Sequence, residues 1–135
     1  MVNYISVLLG YFNPQRRSDD LFKRVLKESD RDPENARCMQ NVDRMVYMLR
    51  ENGIDGGQFG ILCIAAADDS PSIIQTNRGL RVYDYHLALV VKNGDKITVL
   101  DPYSNRGIHG SLEDYSSDTR VSRDNMEIRW LQDPR

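Results

Sequence analysis

Along the chain, apolar and polar positions change rhythm several times. The opening stretch Asn3 to Phe12 is apolar and too short to separate strand from buried helix, and Asn13-Pro14 ends it. Ser18 followed by Asp19 and Asp20 then reads as a helix N-cap with acidic residues in the first turn. Leu21, Phe22, Val25 and Leu26 recur on helical spacing, which predicts an amphipathic helix to about Glu28. Ser29 to Asn35, with Asp30, Asp32, Pro33 and Asn35, is turn chemistry that stops one helix and starts another. Val42, Met45, Val46, Met48 and Leu49 predict a second helix from about Ala36 to Glu51, closed by Asn52-Gly53.

Beyond that point the period shortens. Phe59 to Ala66 is a continuous apolar run of strand length, suited to the centre of a sheet. Ala67 to Asn77 is left open between loop and strand edge. Arg81 to Val91 and Lys96 to Leu100 are β-type runs joined across Lys92 to Asp95, and Asn93-Gly94 is a strong hairpin signal, so the two strands are expected to be antiparallel neighbours. Asp114 to Asp118 reads as a polar loop, and Met126 to Leu131 as a last strand with Ile128 and Trp130 on one face. Two helices before a mostly antiparallel sheet make an α+β layout. No repeat or linker divides the sequence, so residues 1–135 are expected to form a single domain.

Composition narrows the classes of function. Lys plus Arg number 18 against 20 for Asp plus Glu, a net charge of -2, which lacks the basic excess that nucleic-acid binding draws on. The first apolar stretch is too short to span a bilayer, and neither a basic flank nor a small-residue cleavage site marks it as a signal peptide. The two cysteines, Cys38 and Cys63, are too few for a disulfide scaffold, and reduced thiols are the expectation.

One of those thiols is placed for chemistry. Cys38 falls in the first turn of the second predicted helix, where unpaired N–H groups and the helix dipole favour thiolate. A nucleophile needs a base, and the chain offers only His86 and His109. His86 sits in Tyr83-Asp84-Tyr85-His86-Leu87-Ala88-Leu89-Val90-Val91, where a polar side chain on a core-bound strand must be paired. If Asn93-Gly94 makes the turn, Asp101 at the end of Val99-Leu100-Asp101-Pro102 returns to the level of His86 and can hold its imidazole.

The order of Cys38 on a helix, an apolar strand, His86 before Leu87-Ala88-Leu89-Val90-Val91, a short turn, and Val99-Leu100-Asp101-Pro102 resembles the papain-like Cys-His-Asp superfamily. Within it the likeness is greatest to the bacterial protein-glutamine deamidases, the protein glutaminases and deamidating toxin and effector domains, over roughly residues 36 to 103. The resemblance implies a papain-like fold with Cys38 as nucleophile, His86 as general base and Asp101 as its orienting carboxylate. It implies no cofactor and no metal, a protein substrate bearing an accessible glutamine, and an inhibitor or immunity protein as a possible partner. It also implies secretion by a dedicated export system or delivery into a target cell. The sequence departs from papain-type proteases in having no glutamine between Asp32 and Arg37. The Cys38 N–H is a first oxyanion donor, and the second stays open among Asn35, Gln40 and an unassigned backbone group.

Other readings stand beside this one. The same three residues serve a cysteine peptidase or a transglutaminase, and the same fold could be a non-catalytic protein-binding module. Cys63, inside Ile61-Leu62-Cys63-Ile64, reads as inert packing with a raised pKa, and His109 as a loop residue and minor alternative base. The glycines at 53, 56, 57 and 60 lack the lysine of a phosphate loop, and the four Cys and His residues lack the short spacings of a zinc site. Asp68-Asp69-Ser70 and Glu113-Asp114 read as solvated loops rather than calcium ligands. Arg16, Arg17, Lys23, Arg24 and Lys27 read as the wet face of the first helix.

Overall fold

A computed structural model describes residues 14–54, 58–66 and 68–131. The expected apolar element at Asn3 to Phe12 lies outside them. The architecture is α+β, with helices α1 (Pro14–Lys27), α2 (Cys38–Glu51) and α3 (Leu112–Thr119), and strands β1 (Phe59–Ile64), β2 (Ser72–Thr76), β3 (Gly79–Tyr83), β4 (His86–Asn93), β5 (Lys96–Leu100), β6 (Ile108–His109) and β7 (Met126–Trp130). An antiparallel five-stranded sheet runs β6-β5-β4-β1-β7, and β2 and β3 form a separate hairpin.

Alternation along the strands sends side chains to two cores. On one face Phe59, Leu89, Val91 and Leu100 pack against Phe22, Val25 and Leu26 of α1 and Val42, Met45 and Leu49 of α2. On the other, Leu62, Ile64, Ala88, Val90 and Val99 pack against Ile74 of the hairpin, Tyr115 of α3 and Val121. The sheet is therefore covered on both sides, which accounts for the unbroken apolar runs in β1 and β4. Close packing is visible at Gly60, where an added Cβ would lie 2.9 Å from both Ile128 and Trp130, the two residues expected to share one face of the last strand.

Three expectations are corrected and one open segment is resolved. α1 begins at Pro14, four residues before Ser18, because proline has the helical φ already fixed and gives up no needed N–H at a helix start, so Ser18 lies inside the helix rather than capping it. The run Arg81 to Val91 is two strands, broken at Asp84-Tyr85 where the chain leaves the hairpin for the main sheet. The segment left open from Ala67 to Asn77 contains β2, which hides Ile74 while exposing Ile73. Asp114 to Asp118 is not a loop but the body of α3: the Ser111 side chain caps it at the Asp114 N–H, and Tyr115 and Thr119 are buried one turn apart. The helix was masked by its polar composition, since only two of its residues are fully buried.

The β4–β5 hairpin forms as expected, with Asn93 paired to Lys96 and Gly94 at φ +61 in the turn. Among the described residues no helix is long and apolar enough to cross a membrane.

Candidate active site

The hairpin register decides how His86 and Asp101 meet. Leu89 pairs with Leu100, so Asp101 comes level with Ala88 just past the end of β5. His86 lies two residues further along β4 on the same face as Ala88, a diagonal neighbour within reach of a long side chain. His86 Nε2 is 2.7 Å from Asp101 Oδ2, and both residues are buried, at 1% and 2% exposure. The carboxylate is fully engaged. Its Oδ2 also accepts the Tyr115 hydroxyl at 2.6 Å, and its Oδ1 accepts the Tyr103 N–H at 3.0 Å. Burial pushes the Asp101 pKa up, but the imidazole and these donors outweigh it and hold the carboxyl below its ordinary range.

Cys38 enters from the other side. It is the first residue of α2, half-buried, and Arg37 before it makes no side-chain cap bond, so no side chain competes for the first-turn N–H groups. The sulfur lies near enough to His86 and to the Leu87 backbone N–H for both to stabilise its thiolate. Burial alone would raise the thiol pKa, yet the adjoining His86 ring, the Leu87 N–H and the imidazole charge together bring it below that of an ordinary thiol. Burial likewise disfavours a charged His86, while Asp101 and Cys38 raise its pKa to about 10. With Nε2 occupied by Asp101, Nδ1 is the ring nitrogen left open toward the sulfur; among the described residues it has no hydrogen-bond partner.

A loop network fixes where the thiol stands. Asp30 N–H donates to Asn41 Oδ1 at 3.0 Å and Asn41 Nδ2 donates back to the Asp30 carbonyl at 2.8 Å, clamping the loop to α2. Asp32 caps the 3₁₀ turn Pro33–Asn35, and Ala36 leaves it in a left-handed conformation, φ 51. Tyr103 ties this loop to the other two residues. Its hydroxyl accepts the Arg37 N–H at 2.8 Å and donates to Asp30 Oδ2 at 2.8 Å, its own N–H reaches Asp101, and its ring stacks at 6.2 Å from that of His86. On the opposite flank the Tyr83 ring lies 5.1 Å from His86. Its hydroxyl is buried without a hydrogen-bond partner among the described residues, and burial with the charges of Asp101 and Cys38 raises its pKa to about 12.

The three residues singled out in the sequence thus converge. Asn35, considered as a second oxyanion donor, does not serve: its amide donates to Asp30 Oδ1 at 3.0 Å. Gln40 is exposed. His109 is not in a loop but in β6, with both ring nitrogens occupied, by Asp118 at 2.8 Å and the Val99 carbonyl at 3.2 Å. Both cysteines are unbridged, and burial and Glu127 raise the Cys63 pKa, the direction its apolar strand predicts. Among the described residues no three His, Cys, Asp or Glu side chains cluster as a metal would need. The sequence reading missed Tyr83, Tyr103 and Tyr115, whose spacing carries no signal because their role depends on the fold. No protein-family model and no curated protein sequence matches the chain.

Proposed function

We propose that this protein is a thiol-dependent protein-glutamine deamidase with a papain-like arrangement of Cys38, His86 and Asp101. The observation that carries the reading is a buried His86 held through Nε2 by Asp101, with its remaining nitrogen turned over to a thiol at a helix start. A thiol with lowered pKa beside an imidazole with raised pKa favours the thiolate–imidazolium pair at neutral pH.

In this reading the Cys38 thiolate attacks the side-chain amide carbon of glutamine, and the carbonyl oxygen becomes an oxyanion. The Cys38 backbone N–H is one donor to it, and we assign the unpartnered Tyr83 hydroxyl as the second. A phenol with a pKa near 12 stays protonated at working pH and so remains a donor. The imidazolium gives its proton to the departing nitrogen, the carbon–nitrogen bond breaks, and ammonia leaves a thioester. Neutral His86 then takes a proton from water, hydroxide attacks the thioester, and glutamate leaves as the thiol is restored.

A catalyst of this kind acts on a protein bearing an accessible glutamine, and an effector or toxin delivered into a target cell, with an inhibitor protein to restrain it, is the setting the resemblance supports. The test is mass spectrometry of a glutamine-rich protein after incubation with wild-type and Cys38→Ala chains. Deamidation adds about one dalton per glutamine and releases ammonia. A cut chain or an isopeptide cross-link would instead assign the same residues to a peptidase or a transglutaminase. Equal ammonia release by the Cys38→Ala protein would remove the thiol from the chemistry.

A further inference from the structure

We propose that a groove on the face of the sheet that carries α1 and α2, beside the thiol, is a substrate subsite for one large apolar side chain two residues from the reacting glutamine. The proposal rests on the deamidase reading and gives it a sequence preference. The groove has a volume of about 300 Å³, a floor of Ile61, Cys63 and Leu87, and a rim of Glu127 and Arg129. Strand register builds it: Cys63 pairs with Leu87 on one side and Glu127 on the other, and Ile61 pairs with Arg129, so all five side chains emerge on one face across β4, β1 and β7.

Leu87 joins the groove to the site. Its side chain lines the floor, and on β4 it directly follows His86, whose ring holds the other end of the site. A side chain seated over Ile61 and Cys63 therefore belongs to the same bound molecule as a carboxamide at the thiol. The volume suits a side chain or two and is at the lower limit for a whole small-molecule site. The rim carries one charge of each sign, and neither Glu127 nor Arg129 has an ion-pair partner among the described residues. Its net charge of zero over an apolar floor matches an uncharged, apolar occupant better than a strongly acidic or basic one.

An extended peptide fixes which residue this is. Side chains alternate, so the residue that shares the glutamine's side of the backbone is two positions away, about 6.6 Å along the chain. Free glutamine has nothing to place there. The preferred substrate is accordingly a polypeptide segment in which leucine, isoleucine, methionine or phenylalanine stands two residues from the glutamine.

The Cys38→Ala protein provides a reporter, because its single remaining thiol, Cys63, lies on the groove floor. Labelling of that thiol by N-ethylmaleimide, at alkaline pH because Cys63 ionises late, is followed with blocked pentapeptides. These carry leucine two positions before or after glutamine, or glycine in the same place. At least one leucine peptide is expected to protect Cys63 at a concentration about tenfold lower than its glycine counterpart. Equal protection by leucine and glycine peptides, or none by either, overturns the subsite. Ammonia release from the same peptides by the wild-type protein is read separately. Selective protection without ammonia keeps the subsite and removes the deamidase, whereas ammonia without selective protection does the reverse.

Discussion

His86 and His109 are buried to the same degree, at 1% exposure, and each holds an aspartate through Nε2, at 2.7 Å for Asp101 and 2.8 Å for Asp118. They differ at the other nitrogen. His109 Nδ1 is taken by the Val99 carbonyl, so its ring is a crosslink between β5, β6 and α3. His86 Nδ1 is left for a sulfur. A buried His–Asp pair is thus a common structural device, and the nitrogen that remains uncommitted beside a nucleophile is what sets one pair apart. The two are also linked. Tyr115 meets the His109 ring edge-on at 4.9 Å and donates its hydroxyl to Asp101, so the structural pair braces the carboxylate of the other.

Substituting the two aspartates tests that contrast most severely. Asp101→Asn keeps the size but presents a neutral amide to Nε2, which alters the tautomer of His86 and withdraws support for the imidazolium; ammonia release should fall by about 10³–10⁴-fold. Asp118→Asn should leave turnover within a few-fold while lowering unfolding stability by about 1–3 kcal/mol, read by denaturant melts. Similar losses of turnover in both variants would abolish the distinction between the pairs.

The next largest effect belongs to Tyr83→Phe. Removing one oxyanion donor costs about 10²–10³-fold in kcat. The variant should nevertheless alkylate at Cys38 as the wild type does, because the hydroxyl has no partner to release and the pKa shift at Cys38 comes from other groups. Unchanged kcat would take Tyr83 out of the oxyanion site. A slower alkylation with the same fractional loss would make it a packing residue.

The two thiols extend the comparison to pH. The Cys38 pKa is held below that of an ordinary thiol and the Cys63 pKa is pushed above it, so iodoacetamide at pH 7 should modify Cys38 first, with the order of reactivity read by peptide mass mapping. In His86→Gln the Cys38 midpoint should move upward, since burial would then act with less opposition. The wild-type pH profile should rise as the thiolate forms and fall as pH passes through about 10, where His86 loses the proton needed by departing ammonia. A rate still rising beyond that point would show that His86 is not the acid.

What the sequence disclosed follows from where information is local. The helix carrying Cys38, the Asn93-Gly94 turn and the apolar strands were legible because spacing and turn residues determine them within a few positions. From the turn, the meeting of His86 with Asp101 followed by counting back along two strands. α3 was not legible, since Tyr115 and Thr119 are its only buried residues and the rest, Leu112 apart, is polar. The break at Asp84-Tyr85 was missed because β-type residues flank it on both sides and only tertiary packing separates hairpin from sheet. His109 looked like a loop residue for a related reason: β6 is two residues long and exists only by pairing with β5.

Tyr103 gives the smallest effect and the finest test of how the thiol is held in place. Its hydroxyl stands between the Arg37 N–H and the Asp30 carboxylate, at the entrance of the helix that carries Cys38, while its backbone N–H serves Asp101 whatever the side chain. Tyr103→Phe therefore leaves the ring against His86 and the bond to Asp101 in place and deletes only the tie to the helix start. The two hydrogen bonds lost, about 1–2 kcal/mol together, correspond to a factor of about five to thirty. That factor should fall on kcat, with KM for a glutamine peptide unchanged, because the thiol is displaced and the substrate groove is not. Asp30→Asn, which keeps an acceptor for the hydroxyl, should recover most of the activity that Asp30→Ala loses. If Tyr103→Phe lowers stability alone and leaves kcat and the alkylation midpoint untouched, the tyrosine braces the loop without placing the sulfur.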